Sequence, residues 1–174
     1  MTLPSRVALL SSGPPISLKV LYCLHRMGAH THVIDLRHPS AAGFSRYRKG
    51  YRRISPAIEQ HEGDRLAEFL GEYMERHGLE AVVGGDIFSS GMLHAVQDKL
   101  RPGSVFPVSS METLEMLDDK WRFHCFLEEN AIPGPRTVLL EHEEDLALLR
   151  KGTIRFPVIV KTLYGESGYG VFPA

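Results

Sequence analysis

The stretch most suggestive of chemistry is Val158-Ile-Val-Lys161, followed closely by Gly165-Glu-Ser-Gly-Tyr-Gly170 and Val171. Glycines let a loop fold its backbone N–H groups around phosphate oxygens, and a nearby lysine adds a mobile positive charge. An ordinary glycine hairpin with a surface lysine on its edge strand has the same spacing. The stretch is not a Walker loop, because no Gly-Lys-Ser/Thr follows. Nor is it the dinucleotide fingerprint, which must open a helix after a strand. A second lysine stands in Asp119-Lys120-Trp121, at the start of a helical pattern. A cation is slightly unfavourable near a helix N-terminus, which sets Lys120 apart from a merely solvated residue.

Weaker candidates lie upstream. Ser11-Ser-Gly-Pro-Pro15 ends the first strand-like run, where open α/β sheets bind ligands, so Ser12 and Gly13 could face a substrate. Pro14 and Pro15 lack N–H groups, which suits a rigid turn better than a phosphate nest. Gly84-Gly85-Asp86 stands at the matching edge of another strand, and Asp86 could contact substrate or cap a helix. Arg46, Arg48, Lys49, Arg52 and Arg53, interleaved with Tyr47 and Tyr51, could hold a nucleic-acid phosphate, but the neutral total charge favours a solvated loop. His30, His32 and His38 with Cys23 fit no familiar metal spacing.

The elements that must position these residues follow from apolar periodicity. Val7–Leu10 reads as a strand buried on both faces. Ile16, Val20, Leu21, Leu24 and Met27 share a helical face, with Gly28 as its stop, and 32–36 is a second strand. Residues 39–62 show no clear period. Asp64 then caps a helix carrying Leu66, Phe69, Leu70, Tyr73 and Met74, which Gly78 ends. Residues 81–85 form a strand, Met92, Leu93, Val96 and Leu100 line a helix, and 105–108 is a further strand. The expectation is one parallel sheet in the order 32–36, 7–11, 81–85, 105–108.

A second piece starts near Ser109. One helix holds Met111, Leu114 and Leu117, and another, capped at Asp118-Asp119, runs to Asn130. Ile132-Pro-Gly-Pro135 forces an extended connector. Residues 137–140 read as a strand, Leu146 and Leu149 as a short helix closed by Gly152, 156–162 as a strand, and Val171-Phe172 as its returning partner.

Composition bounds the rest. The chain has 174 residues, 43% of them hydrophobic, so it can bury a core. Twenty Lys and Arg against 21 Asp and Glu argue against a dedicated nucleic-acid or membrane-surface binder. No apolar run approaches the roughly 18 residues of a membrane span. Cys23 and Cys125 read as buried thiols of a reducing compartment, so a cytoplasmic location is expected.

Taken in order, Asp119-Lys120, Ile132-Pro-Gly-Pro135, Phe156-Pro-Val-Ile-Val-Lys161 and the glycine loop resemble the opening of the ATP-grasp fold. The α/β layer before them resembles the Rossmann-like pre-ATP-grasp domain of carbamoyl-phosphate synthase and biotin carboxylase. The fold class expected is therefore α/β, a Rossmann-like parallel sheet followed by a small α+β piece. Residues 1–108 would be the pre-ATP-grasp domain, 109–117 a linker helix, and 118–174 the start of the ATP-grasp domain.

The resemblance implies a ligase that activates a carboxylate as an acyl phosphate. Lys120 and Lys161 would contact the ATP phosphates from two sides, and Glu166, Ser167, Gly168, Tyr169, Gly170 and Val171 would form the loop closing over them. Mg²⁺ ligands and the adenine pocket would lie downstream of Ala174, so the chain is expected to be a catalytically incomplete portion of a longer ligase. Its partners would be ATP and a small carboxylate, with no nucleic acid and no membrane, and with a homo-oligomer allowed. The alternative is a non-catalytic α/β module that binds a small molecule or a protein, its glycine loop merely structural.

Overall fold

The computed structural model describes residues 4–55, 57–59, 61–147, 156–165 and 168–174. The chain divides into two compact units, Met1–Met111 and Glu112–Ala174.

The first unit is built on β1 (Arg6–Ser11), whose residues Val7 to Leu10 are almost wholly buried. Such a strand needs cover on both faces and partners on both edges. β2 (His30–Asp35) pairs with it in parallel on one side, Leu9 opposite Val33, and β4 (Ala81–Gly84) on the other, Leu10 opposite Gly84. The alternation of a strand sorts the side chains into two cores. Val7, Leu9, Val33 and Ala81 meet Leu21 and Leu24 of α1 (Ile16–Arg26). Ala8, Leu10, Ile34 and Val82 meet Leu66 and Leu70 of α2 (Gly63–His77) and Met92 and Leu93 of α3 (Ile87–Val96).

The sheet order is β3-β2-β1-β4, all parallel, where β3 is Gly50–Arg53. The three central strands stand as expected. The edge strand β3 falls in the segment read as aperiodic. Residues 105–108 contribute only a parallel bridge, Val82 to Val105, held by the Val82 N–H donating to the Ser104 carbonyl at 2.7 Å and the Phe106 N–H donating to the Val82 carbonyl at 3.0 Å.

Three details depart from the sequence reading. The buried stripe of α1 is Ser17, Leu21 and Leu24, which leaves Met27 and Cys23 exposed; Cys125 is half-buried, and both thiols are free. Ser17 is drawn inward by hydrogen bonds to Ser11 and Asp86, which rotates the helix away from the purely apolar stripe. Asp64 lies inside the first turn of α2, after an N-cap at Glu62, and its carboxylate pairs with Lys99 instead.

The second unit contains α4 (Met111–Asp118, continuous with the end of the first unit), α5 (Lys120–Glu129) and an antiparallel pair, β5 (Ile159–Lys161) with β6 (Val171–Pro173). Residues 137–140 form no strand with a partner among the described residues, and Thr137 Oγ1 donates to the Pro135 carbonyl at 3.0 Å. A 3-10 turn, Glu143–Leu146, leads into the expected short helix, of which Ala147 is helical; Leu149 and Gly152 lie outside the described residues. Among the described residues, no helix is long and apolar enough to cross a membrane.

One pH response follows from the sheet. His32 of β2 faces α2, its Nδ1 lying 3.2 Å from the Tyr73 hydroxyl and its ring 5.0 Å from His77. Burial first, then the charges of His77, Arg6 and His30, push its pKa below the ordinary imidazole value. The folded state therefore binds fewer protons than the unfolded one, and this contribution is full above the unfolded value of about 6.5 and lost as pH falls through the folded one. The melting temperature should drop from pH 7.5 to 5.5, and His32→Phe should shrink that drop. An unchanged drop would remove His32 from the account.

Candidate functional site

In the first unit the residues of interest gather at the C-terminal ends of β1 and β4. Asp86 is the N-cap of α3: its Oδ1 accepts from the Ser89 N–H at 2.8 Å, and Ser89 Oγ accepts from the Asp86 N–H at 3.1 Å. This is a reciprocal capping box. The same carboxylate accepts from the Ser12 N–H at 2.8 Å, the Ser12 hydroxyl at 3.0 Å and the Ser17 hydroxyl at 3.3 Å. Gly13 donates to Ser11 Oγ at 3.2 Å. Ser12, Gly13 and Asp86 thus come together, but Asp86 is buried and already holds two loops and a helix start. Ser17 and Ser89, absent from the sequence reading, complete this network. A serine at the third helical position after an Asp cap was the signal available for Ser89.

In the second unit, β5 delivers Lys161 to the mouth of the glycine turn, where it pairs with Val171 across the hairpin. Among the described residues, the Lys161 ammonium has no ion-pair partner. The turn is held at its base by the Thr162 N–H donating to the Gly170 carbonyl at 2.8 Å. Two glycines there are sterically required. A Cβ on Gly170, at φ +68°, would lie 2.0 Å from Thr162 Oγ1, and one on Gly165, at φ +138°, 2.6 Å from the Tyr169 carbonyl oxygen. Gly168 and Tyr169 form the turn itself, and Glu166 and Ser167 lie outside the described residues.

Lys120 opens α5 directly after its N-cap, Asp119, whose Oδ1 accepts from the N–H groups of Trp121 and Arg122 at 2.9 and 3.0 Å. The Lys120 ammonium donates to the carbonyls of Leu163 and Gly165, both at 3.1 Å, and its N–H also donates to Leu163. The Tyr164 hydroxyl donates to Asp119 Oδ2 at 3.1 Å. The Arg122 N–H, with further help from Tyr164, holds the Asp119 carboxyl below the usual carboxylate range, while its bond to Asp119 pushes the Tyr164 phenol up. The glycine turn is therefore clamped to the start of α5 by an acid, a lysine and a tyrosine. The sequence reading named Asp119 as a cap and as part of the Asp119-Lys120 motif, and missed Tyr164, an aromatic hydroxyl immediately before the first loop glycine.

Among the described residues, the hairpin mouth offers an ammonium with no ion-pair partner, a second ammonium held by the Leu163 and Gly165 carbonyls, and glycine backbone amides. That donor set suits phosphate oxygens. Among the described residues, no three His, Cys, Asp or Glu side chains converge to hold a metal ion.

Residues 117–174 match the model of the RimK-like ATP-grasp domain. The chain is 31% identical over 68 residues to coenzyme gamma-F420-2:alpha-L-glutamate ligase of Methanocaldococcus jannaschii, a match covering 38% of this chain and 24% of that protein. Its fold resembles N5-carboxyaminoimidazole synthetase of Staphylococcus aureus, solved with ADP, at a TM-score of 0.62 and 14% identity, covering 99% of this chain and 42% of that one. It also resembles the biotin carboxylase domain of Hydrogenobacter thermophilus 2-oxoglutarate carboxylase, solved with MgADP, ADP and bicarbonate, at a TM-score of 0.56 and 19% identity, covering 99% and 38%. The chain thus spans about a quarter of the curated relative and about two-fifths of these solved chains.

Proposed function

We propose that this chain is the N-terminal portion of an ATP-dependent carboxylate–amine ligase and contributes part of its phosphate site. The observation that carries the reading is Lys161 at the mouth of the glycine turn, within the segment that matches the RimK-like ATP-grasp domain. In this reading residues 1–108 are the pre-ATP-grasp domain, 109–117 the link, and 118–174 the first part of the ATP-grasp domain. Lys161 and the amides of the 166–171 turn hold the ATP phosphates, and Lys120 joins them by exchanging its loop carbonyls for phosphate oxygen. Ser12 and Gly13 face the carboxylate substrate, with Asp86 fixing their loop.

The reaction proposed has two displacements. A substrate carboxylate oxygen takes the γ-phosphoryl group of ATP, and ADP leaves. The amine nitrogen then attacks the acyl carbon, phosphate leaves, and the nitrogen loses a proton. Mg²⁺, when bound, would neutralise charge on the transferring phosphoryl group; its ligands belong to the part of the fold that this chain does not span. A cytoplasmic location and a homo-oligomer are part of the same proposal.

The test begins with residues 1–174 alone. They should not hydrolyse ATP with Mg²⁺, and any polyphosphate binding should weaken steeply with salt, because exposed charges are screened. A chain carrying the remainder of the ATP-grasp fold should bind MgATP, lose most of that binding in Lys161→Ala, and give a hydroxamate when hydroxylamine traps the acyl phosphate. Metal-dependent hydrolysis by 1–174 that survives Lys161→Ala would sink the assignment.

A further inference from the structure

Total charge conceals how the charges are distributed. Residues 1–58 hold nine of the 20 Lys and Arg but one of the 21 Asp and Glu, a formal +8 against −9 for the rest. The one acid, Asp35, is fully buried, its Oδ2 accepting from the Ser40 N–H and the Tyr51 hydroxyl. The surface contributed by this segment is therefore basic, with no exposed carboxylate of its own.

The cations are also organised. Tyr47 stacks on His25 at 4.7 Å and lies 5.4 Å from Tyr22. Arg26 sits over Tyr22 at 6.0 Å, Arg46 over Tyr47 at 5.3 Å, and Arg48 over Tyr51 at 5.2 Å. Arg48 Nε also donates to the Gly43 carbonyl at 2.6 Å. Phe44 stands 80% exposed and Tyr22 41%. Lys49, Arg52 and Arg53 are exposed along the edge strand β3.

Basic residues on an edge strand guard it against pairing with other sheets, and that accounts for Arg52 and Arg53. It does not account for Arg26 on α1, Arg46 before β3, or an exposed Phe44. Guanidinium forks match phosphate oxygens two at a time, and here rings hold them in place. An open aromatic face beside such cations takes a nucleic-acid base, whereas an acidic peptide would use the cations and leave Phe44 without a role. We propose that this face binds single-stranded nucleic acid, with phosphates along Arg26, Arg46, Arg48 and Lys49 and a base on Phe44. This departs from the expectation drawn from the near-zero total charge, which averages over two oppositely charged parts. It holds whether or not the chain takes part in ATP chemistry.

The test is fluorescence anisotropy of a labelled oligouridylate with the 174-residue chain. Four phosphate contacts give a log–log salt slope of about −3, hence about a fiftyfold loss of affinity from 50 to 200 mM salt. Arg46→Glu should weaken binding about tenfold and flatten that slope. Phe44→Ala should weaken it at least about fivefold with the slope unchanged, since stacking carries no counterion term. Arg76→Glu, the same charge reversal on α2, should stay within about twofold, and circular dichroism melts of each variant should match the parent. Failure to bind at 50 mM salt, an equal loss in Arg76→Glu, or no effect of Phe44→Ala would overturn the proposal. So would equal competition by poly-glutamate, which would make the partner an acidic protein, or by phosphatidylserine vesicles, which would make it a membrane surface.

Discussion

Replacing Asp86 with alanine should lower the stability of the first unit by about 2–4 kcal/mol. Loss of an N-cap side chain costs about 0.5–2 kcal/mol, and each buried polar group left without a partner adds about 1–3. Asp86 is 7% exposed and serves the Ser89 N–H, the Ser12 N–H and hydroxyl, and the Ser17 hydroxyl together, so several groups lose their acceptor at once. The penalty stays below the simple total because water reaches the half-buried Ser12 loop. Asp86→Asn keeps one carbonyl acceptor and should cost roughly half as much. Urea unfolding followed by far-ultraviolet circular dichroism measures both. A change below about 0.5 kcal/mol in Asp86→Ala would mean that the carboxylate is not a structural anchor, and a direct role toward substrate would then be the better account.

Lys120→Met should speed amide exchange at Thr162 about tenfold without any nucleotide, whereas Lys161→Met should leave it within about twofold. The two lysines look equivalent in the sequence, but their ammonium groups do different things. That of Lys120 donates to the Leu163 and Gly165 carbonyls, on the stretch between the Thr162 N–H and its acceptor, Gly170. Hydrogen bonds from a charged group are stronger than neutral ones, and solvent exposure keeps this pair at the low end of that range. Lys161 has no such partner among the described residues. Tyr164→Phe, which removes the bond to Asp119, should act in the same direction as Lys120→Met but more weakly. Equal exchange in the two lysine variants would mean that the turn is not held by Lys120.

How much of this was legible in the sequence depended on where each residue's partners lay. β1, β2, β4, α2 and α3 were readable because burial imposes a period of 2 or 3.6, and Val7–Leu10 or the Leu66–Met74 set shows it directly. β3 was not. Gly50-Tyr-Arg-Arg53 is half solvated at an edge, so its side chains follow no apolar alternation. Residues 137–140 differ in the opposite sense: their side chains favour a strand, but among the described residues they find no partner to share a ladder. The glycine turn could be placed from spacing alone, because the backbone conformations it needs exclude most residues. The Tyr164–Asp119 bond joins positions 45 apart and depends on tertiary approach. The charge division between residues 1–58 and the rest was in plain view, but composition taken over the whole chain erased it.

The central place of β1 has a consequence for the order in which the protein is made. It leaves the ribosome before the strands on both its edges, and one of those edges is closed only by Ala81–Gly84. At about 5–20 residues per second, the synthesis between the end of β2 and the end of β4 leaves Val7–Leu10 half-paired for about 2–10 s. During that interval β2 holds one edge and α1 and then α2 cover the faces, but four contiguous apolar residues stand beside an open backbone edge. Pausing of translation before residue 81 should therefore favour capture by a chaperone, and a chain cut short just before β4 should be aggregation-prone even though most of the first unit's apolar residues are already present.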